Sequence, residues 1–359
     1  MLYELLVPLA KYHTAFNVFR YITFRTAMAT VTALVISFIL GPWLINRLRQ
    51  MQHGETSVRE DTPERHRAKA GTPTMGGIGI LVAILVSTLL WADLRNRYIW
   101  VLMLATTGLG LIGLKDDWTK LKTRRGISAR QKFGAQILLV GALMAFLYFW
   151  PADGFTTSVV IPFFKGWLIT FGTWPWLWIP FAMLVIVGAS NAVNLTDGLA
   201  IGPIVTAGGA FAVIAYLTGN FRAAEYLRIL NVKGTGELTI FCGALVGAAL
   251  GFLWFNSYPA QVFMGDVGSL ALGGAIGTLA VLTKSELLLP LIGGIYVVEA
   301  ASVIIQVGSF KLTGRRVFRM APLHHHYEIK GWAEPKIIVR FWILSFMLAL
   351  LALTTLKLR

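Results

Sequence analysis

The chain has 359 residues, 56% of them hydrophobic and only 14% charged, with a net charge of +15 and a mean hydropathy of +0.67. Soluble domains carry about a quarter charged residues and cannot hide this much apolar surface, so a soluble globular fold is excluded and a polytopic membrane protein is expected. Nucleic acid is not an expected partner, because no basic stripe interleaved with aromatics is present and membrane topology accounts for the excess Lys and Arg.

Residues 1–22 are mildly amphipathic and suit an interfacial helix. No short apolar run followed by a small-residue cleavage site opens the chain, so no removable leader is expected. Ten apolar spans follow, each near the length an α-helix needs to cross a bilayer: 23–46, 76–92, 98–114, 133–150, 176–193, 199–217, 237–255, 268–283, 287–308 and 337–356. Span 199–217 is rich in Gly and Ala, which suits close helix packing. The ninth is expected to be bent or broken at Gly293-Gly294. Loop 151–175 suits a short hairpin around Gly166. Cys242, the single cysteine, sits in an apolar run and reads as a packing residue. The expected fold is all-α, one integral membrane domain over residues 1–359.

An even number of spans places both termini on one side. Nineteen Lys and Arg fall in the loops after spans one, three and nine, and eleven on the opposite side. The positive-inside rule then puts the termini in the periplasm and loops 47–75, 115–132, 191–198, 256–267 and 309–336 in the cytoplasm.

Every polar cluster with chemical potential falls in or beside those inside loops, Glu299 lying within a span. Asn191, Asn194 and Asp197 recur every three residues at the end of span five, a polar stripe if the helix continues. They read as a helix cap or as a site. Asp116-Asp117 is either a solvated pair or a seat for a hard divalent cation. Asn256 follows the seventh span and Asp266 comes just before the eighth. Gly265-Asp266-Val-Gly-Ser269 leaves its carboxylate free beside backbone that a ligand can approach, or is a plain cap. Phe263 offers a stacking surface or simply packs. Glu299 and Gln306 share a face of span nine, and an intramembrane glutamate is a functional candidate beside its structural alternative. His324-His325-His326 cannot all face one metal on regular structure, which favours phosphate contact over a zinc site. Lys69, Lys120 and Lys132 can supply point charges for phosphates, or are ordinary inside-loop residues. Together these groups suggest a phosphoryl-bearing substrate from the cytosol meeting a lipid acceptor.

At this point the motifs Gly71-Thr-Pro-Thr-Met-Gly-Gly77, Asp116-Asp117, Asn191-Ala-Val-Asn-Leu-Thr-Asp-Gly198, Gly251-Phe-Leu-Trp-Phe-Asn256, Phe263-Met-Gly-Asp-Val-Gly-Ser269 and Pro322-Leu-His-His-His326 can be read together. The chain resembles, nearly end to end, the polyprenyl-phosphate N-acetylhexosamine-1-phosphate transferase superfamily. The triple histidine followed by Glu328 looks like its phospho-N-acetylmuramoyl-pentapeptide branch rather than its GlcNAc-1-phosphate branch. The resemblance implies that UDP-MurNAc-pentapeptide and undecaprenyl phosphate give lipid I and UMP, with Mg2+. It also implies a ten-helix homodimer in the bacterial inner membrane with a cytoplasmic active site. It implies a metal-ligand role for Asp266, and metal or lipid-phosphate roles for Asp116 and Asp117. Asp197 and His325 would line the cleft, with His324 and His326 beside it. Lys69, Lys120, Lys132, Asn191, Asn194 and Asn256 would surround the nucleotide sugar, and Phe263, Glu299 and Gln306 would lie near the uridine. A GlcNAc-1-phosphate transferase, or more distantly a transporter, is the alternative.

One departure stands out. The family pattern carries Asp-Gly-Leu twice, whereas Asn194-Leu-Thr-Asp197-Gly-Leu-Ala200 has one copy. Three residues fewer remove one acidic side chain and turn the following helix by about 60°. With the other motifs intact, the fold is expected to survive.

Overall fold

The computed structural model describes residues 1–52, 71–123, 125–164 and 166–357, and for Asp197 the backbone alone. Lys69 and the Asp197 side chain therefore lie outside the described part.

The N-terminal stretch folds as a short helix, α1 (Leu2–Leu6), and two 3-10 turns, rather than as the single interfacial helix expected. Pro8 at the start of the first turn accounts for the interruption. The membrane body comprises α2 (Ile22–Gln52), α3 (Gly77–Trp91), α4 (Arg97–Thr123), α5 (Ala129–Phe149), α6 (Trp178–Asn194), α7 (Ile201–Gly219), the short α8 (Phe221–Leu227), α9 (Leu238–Asn256) and α10 (Gly265–Leu282). After these come α11 (Leu289–Ile292), α12 (Gly294–Thr313), the short α13 (Leu323–Ile329) and α14 (Glu334–Thr354). Among the described residues nine helices are long and apolar enough to cross a membrane, and α3, with fifteen residues, is a shorter apolar tenth. At 1.5 Å per residue α3 reaches only about 22 Å. The protein is an all-α polytopic membrane protein. β1 (Val159–Val160) and β2 (Leu168–Ile169) form the antiparallel hairpin expected around Gly166. The ninth expected span is broken at Gly293, between α11 and α12.

Two helices overrun their expected spans. Apolar periodicity stops near Leu114, yet α4 continues to Thr123 and carries Asp116, Asp117 and Lys120 on its last turns. An i,i+4 pair, Asp116 with Lys120, supports that extension. Segment 115–132 is thus mostly helical, since α5 already starts at Ala129 behind a Ser128–Gln131 capping box. Likewise α12 runs to Thr313, and α13 occupies part of segment 309–336.

Helix α10 is the axis of the bundle, with 94% of its span buried. Its run of Gly, Ala and Ser lets α4 and α6 approach closely. Ser190 of α6 donates to the Leu270 carbonyl at 2.9 Å. At one end, Arg25 forks onto Glu237 at 2.6 and 2.8 Å, joining the starts of α2 and α9. Glu237 also accepts from Asp93 N, so this buried charge pair is well hydrogen-bonded. The opposite end gathers the C-termini of α2, α4, α6 and α9 with the N-termini of α3, α5 and α10. The expected inside segments therefore converge at one end of the bundle.

Candidate active site

Three carboxylates meet at that end. Asp116 and Asp117 are almost fully buried on the last turns of α4. Asp266 opens α10. Lys120 Nζ lies 2.9 Å from Asp116 Oδ2, 3.6 Å from Asp117 Oδ1 and 2.9 Å from Asp266 Oδ2. Lys132, from the first turn of α5, reaches Asp116 Oδ2 at 3.1 Å and also bonds Asp266. Two ammonium groups are thus shared among three carboxylates from two helices.

Backbone holds the carboxylates in place. Ile127 N donates to Asp116 Oδ1 at 2.8 Å, and Val267 N donates to Asp117 Oδ2 at 3.2 Å. Gly265 takes a φ of 71°, and a Cβ there would lie 2.5 Å from Asp117 Oδ2 and 2.8 Å from Thr74 Oγ1, so only glycine fits. Gly113 of α4 packs backbone to backbone, since a Cβ on it would sit 2.2 Å from the Asp266 carbonyl oxygen. Segment 72–77 is laced to the start of α10: Phe263 N bonds Pro73 O, Gly76 N bonds Phe263 O and Gly77 N bonds Met264 O, all at 2.8–2.9 Å. Gln52 clasps Thr74 from both sides, donating to its carbonyl at 3.0 Å and accepting from its N–H at 3.1 Å.

The expected stripe of Asn191, Asn194 and Asp197 does not lie on one helix. Helix α6 ends at Asn194, and Asp197 opens a separate 3-10 turn that packs against α10. The two asparagines take different partners. Asn191 Nδ2 donates to Gln136 Oε1 at 2.7 Å, and Asn194 Oδ1 accepts from Ser269 Oγ at 2.6 Å. Asn256 Nδ2 donates to Val262 O at 2.9 Å, bracing the approach to Phe263.

The histidines form a second cluster. Glu299, fully buried, accepts from His324 N at 3.1 Å and lies 3.3 Å from His324 Nδ1. Gln306 folds back on the same connection, donating to Phe318 O at 2.9 Å and accepting from Val317 N at 3.0 Å and Phe318 N at 2.9 Å. His325 Nδ1 lies 2.8 Å from Glu328 Oε2, which aims its ring, and His326 Nδ1 accepts from Arg319 N at 3.0 Å. Helix α13 packs between α12 and α14. Leu199, two residues past Asp197, joins Ile295, Ile337 and Phe341 in a small apolar cluster flanked by Tyr327 of α13. Tyr296 Oη donates to Ala200 O at 2.7 Å. The Asp197 turn thus bridges α10, with its carboxylate, and the histidine-bearing segment.

The partners Gln136 and Gln52 carry no signal in the sequence. Lone polar residues within apolar runs give no signal until their partners are known. The opposite end, where only scattered charge was expected, holds a buried pair. Lys284 Nζ lies 3.6 Å from Glu286 Oε1 and about 4.9 Å from the rings of Phe155 and Trp178. Burial pushes the Glu286 carboxyl up to about 7 and the Lys284 ammonium down.

Among the described residues no three acidic or imidazole groups form a ready-made metal cage, since Lys120 and Lys132 sit between the carboxylates. The donor set still suits a hard divalent cation, being oxygen-only and converging on one point.

A family model, glycosyl transferase family 4, matches residues 99–284, which take in all three carboxylates and both lysines. The chain is 56% identical over 365 residues to a phospho-N-acetylmuramoyl-pentapeptide-transferase of Syntrophus aciditrophicus (strain SB). It is 58% identical over 365 residues to one of Desulfatibacillum aliphaticivorans and 56% over 364 to one of Geobacter sp. (strain M21). Each of these alignments covers the whole of both chains. By that end-to-end likeness and the matched family model, the chain belongs to the phospho-N-acetylmuramoyl-pentapeptide transferases of glycosyl transferase family 4.

Proposed function

We propose that this protein transfers phospho-MurNAc-pentapeptide from UDP-MurNAc-pentapeptide to undecaprenyl phosphate, giving lipid I and UMP for peptidoglycan synthesis. The observation that carries the reading is the sharing of Lys120 and Lys132 among Asp116, Asp117 and Asp266 at one end of a membrane bundle. A lipid phosphate oxygen attacks the sugar-linked phosphorus, the pyrophosphate bond breaks, and UMP leaves with the bonding electrons. Catalysis of this kind rests on positioning and on neutralising phosphate charge. Lys120 and Lys132, already desolvated on one side, swing from carboxylate to phosphate as the substrates enter. Val267 N and Ile127 N keep Asp117 and Asp116 oriented meanwhile. Asp116, Asp117 and Asp266 would hold Mg2+, which when bound supplies Lewis-acid charge to the pyrophosphate. Asp197 lines the catalytic cleft in this reading, and Asn191, Asn194 and Asn256 surround the nucleotide sugar. Glu299 and Gln306 tether the segment bearing the histidines and with Phe263 lie near the uridine in this reading, while His325 lines the cleft with His324 and His326 beside it, and Lys69 would supply charge to the phosphates.

The same reading places the protein in the bacterial inner membrane as a homodimer, with both termini periplasmic and the site on the cytoplasmic face. The gathering of Asp116, Asp117, Asp266, Lys120 and Lys132 at one end favours it over a transport path, which would place ionisable groups near mid-membrane.

The test is incubation of purified protein with Mg2+, undecaprenyl phosphate and either UDP-MurNAc-pentapeptide or UDP-GlcNAc. UMP release and a lipid-linked product from the muramoyl nucleotide alone are expected. Product from UDP-GlcNAc alone would transfer the chain to the GlcNAc-1-phosphate branch. No UMP from either nucleotide would overturn the reading.

A further inference from the structure

Beside the carboxylate cluster, but on the other side of α4, lies a cavity of about 380 Å³. It opens between the C-terminal turns of α2 and α4 and is floored by Met75 and Ile78 at the start of α3. Its walls are almost wholly apolar, with Leu48 and Leu111 facing across it. Arg47 and Lys115 are its only charged lining residues among those described. Both are exposed, and neither side chain has a hydrogen-bond or ion-pair partner among the described residues. Trp118 stands at the same rim, 41% exposed, where an amphipathic ring suits a membrane interface.

Leu111, Leu114, Lys115 and Trp118 follow the i, i+3, i+4, i+7 spacing and share one face of α4. At 3.6 residues per turn, Asp116 and Lys120 project about 150° or more around the helix from that face. A phosphate held by Lys115 and Arg47 would therefore lie on the side of α4 turned from Asp116 and Lys120. The floor of the cavity nonetheless backs onto the site. Met75 holds a φ of 74°, which L side chains rarely adopt, and its N–H lies against Gly265.

We propose that this groove is a binding site for an anionic glycerophospholipid. Its phosphate lies between Arg47 and Lys115, its glycerol backbone lies beside Trp118, and an acyl chain fills the cavity and packs on Met75. Two cations, unpaired among the described residues, above an apolar slot match the charge and shape of such a lipid. The bound chain supports the turn that carries Met75 against the start of α10.

The experiment reads binding alone, so its outcome is separate from that of the transferase reading. Full-length protein is equilibrated with vesicles of equal phosphatidylglycerol and phosphatidylcholine, and retained lipid is measured by native mass spectrometry. One phosphatidylglycerol per chain is expected in preference to phosphatidylcholine. Each basic side chain near an anionic headgroup is worth roughly fivefold in binding, so Arg47→Gln with Lys115→Gln should lower retention about 25-fold. Lys311→Gln with Lys336→Gln, equal in charge change, should leave it unaltered. Leu111→Trp, which fills the cavity, should lower retention of both lipids. Equal retention of the two lipids would overturn the proposal, as would a double variant at Arg47 and Lys115 that still holds phosphatidylglycerol. So would displacement of phosphatidylglycerol by an equimolar amount of undecaprenyl phosphate, which would make the groove the acceptor's.

Discussion

Lys120 of α4 and Asp266 of α10 meet at 2.9 Å across the seam between two tightly packed helices of the site. Lys120 also touches both carboxylates of its own helix, so one ammonium balances charge from two elements. Removing a preorganised charge aimed at a transferring phosphoryl group costs on the order of 10²–10³ in rate. Lys120→Ala should lose that much turnover, measured as UMP release, while remaining folded. Turnover within threefold of the parent would remove Lys120 from the phosphate site.

Asp266→Asn keeps the shape of the side chain and deletes its charge. The expected result is loss of turnover with a thermal midpoint close to the parent's, because Asp116 still pairs with both lysines. A variant with residual activity should need a higher Mg2+ concentration for half-maximal rate. An unchanged Mg2+ requirement would dissociate Asp266 from the metal.

Glu299 receives the His324 N–H in the first turn of α13 and is fully buried. Glu299→Ala orphans His324 N, at a cost of about 1–3 kcal/mol. The unfolding midpoint should fall accordingly, and Glu299→Gln, which still accepts, should recover most of it. If both variants melt with the parent, the bond from His324 N contributes nothing to holding α13.

Glu286 gives a pH signature at the opposite end. Its folded value, about 7, exceeds the ordinary value of 4.5. The folded state therefore holds this proton more tightly than the unfolded state. That contribution is complete below about 4.5 and is lost as pH rises to about 7. Glu286→Gln removes the titration. Its midpoint relative to the parent should accordingly climb between pH 5 and pH 8, as read by thermal unfolding at both. Parallel midpoints at the two pH values would show that Glu286 does not titrate in this window.

Reinsertion of Asp-Gly-Leu after Leu199 restores the doubled motif. A positioned acid–base group supplies about 10² or more in rate, so turnover should rise by roughly that factor. Equal turnover would show that the second copy is dispensable here.

Much of this architecture is legible in composition and periodicity. Apolar run length locates the helices, and the clustering of Asp116, Asp117, Asn194 and Asp266 at span ends anticipates their gathering at one end of the bundle. The limits are physical. Apolar periodicity ends where a helix leaves the membrane, not where it stops, which is why α4 outruns its expected span and carries both aspartates. Three-residue spacing marks a stripe only while the helix persists, and α6 ends before Asp197. Pairings such as Gln136 with Asn191, 55 residues apart, or Glu299 with His324, 25 apart, depend on tertiary packing that no local pattern encodes. Lys284 and Glu286 look like ordinary loop charge until the hairpin side of the bundle covers them.

The direct contact of Gly113 with the main chain at Asp266 has a mechanical corollary. With no side chain between them, α4 and α10 cannot slide without collision, so Asp116, Asp117 and Asp266 move as one body. Adjustment to substrates of different bulk then falls to the histidine-bearing segment, which is tethered by replaceable polar bonds rather than by interlocked backbone. On the proposed reading, the three aspartates would form a fixed anvil, and the histidine-bearing segment would be the part free to yield.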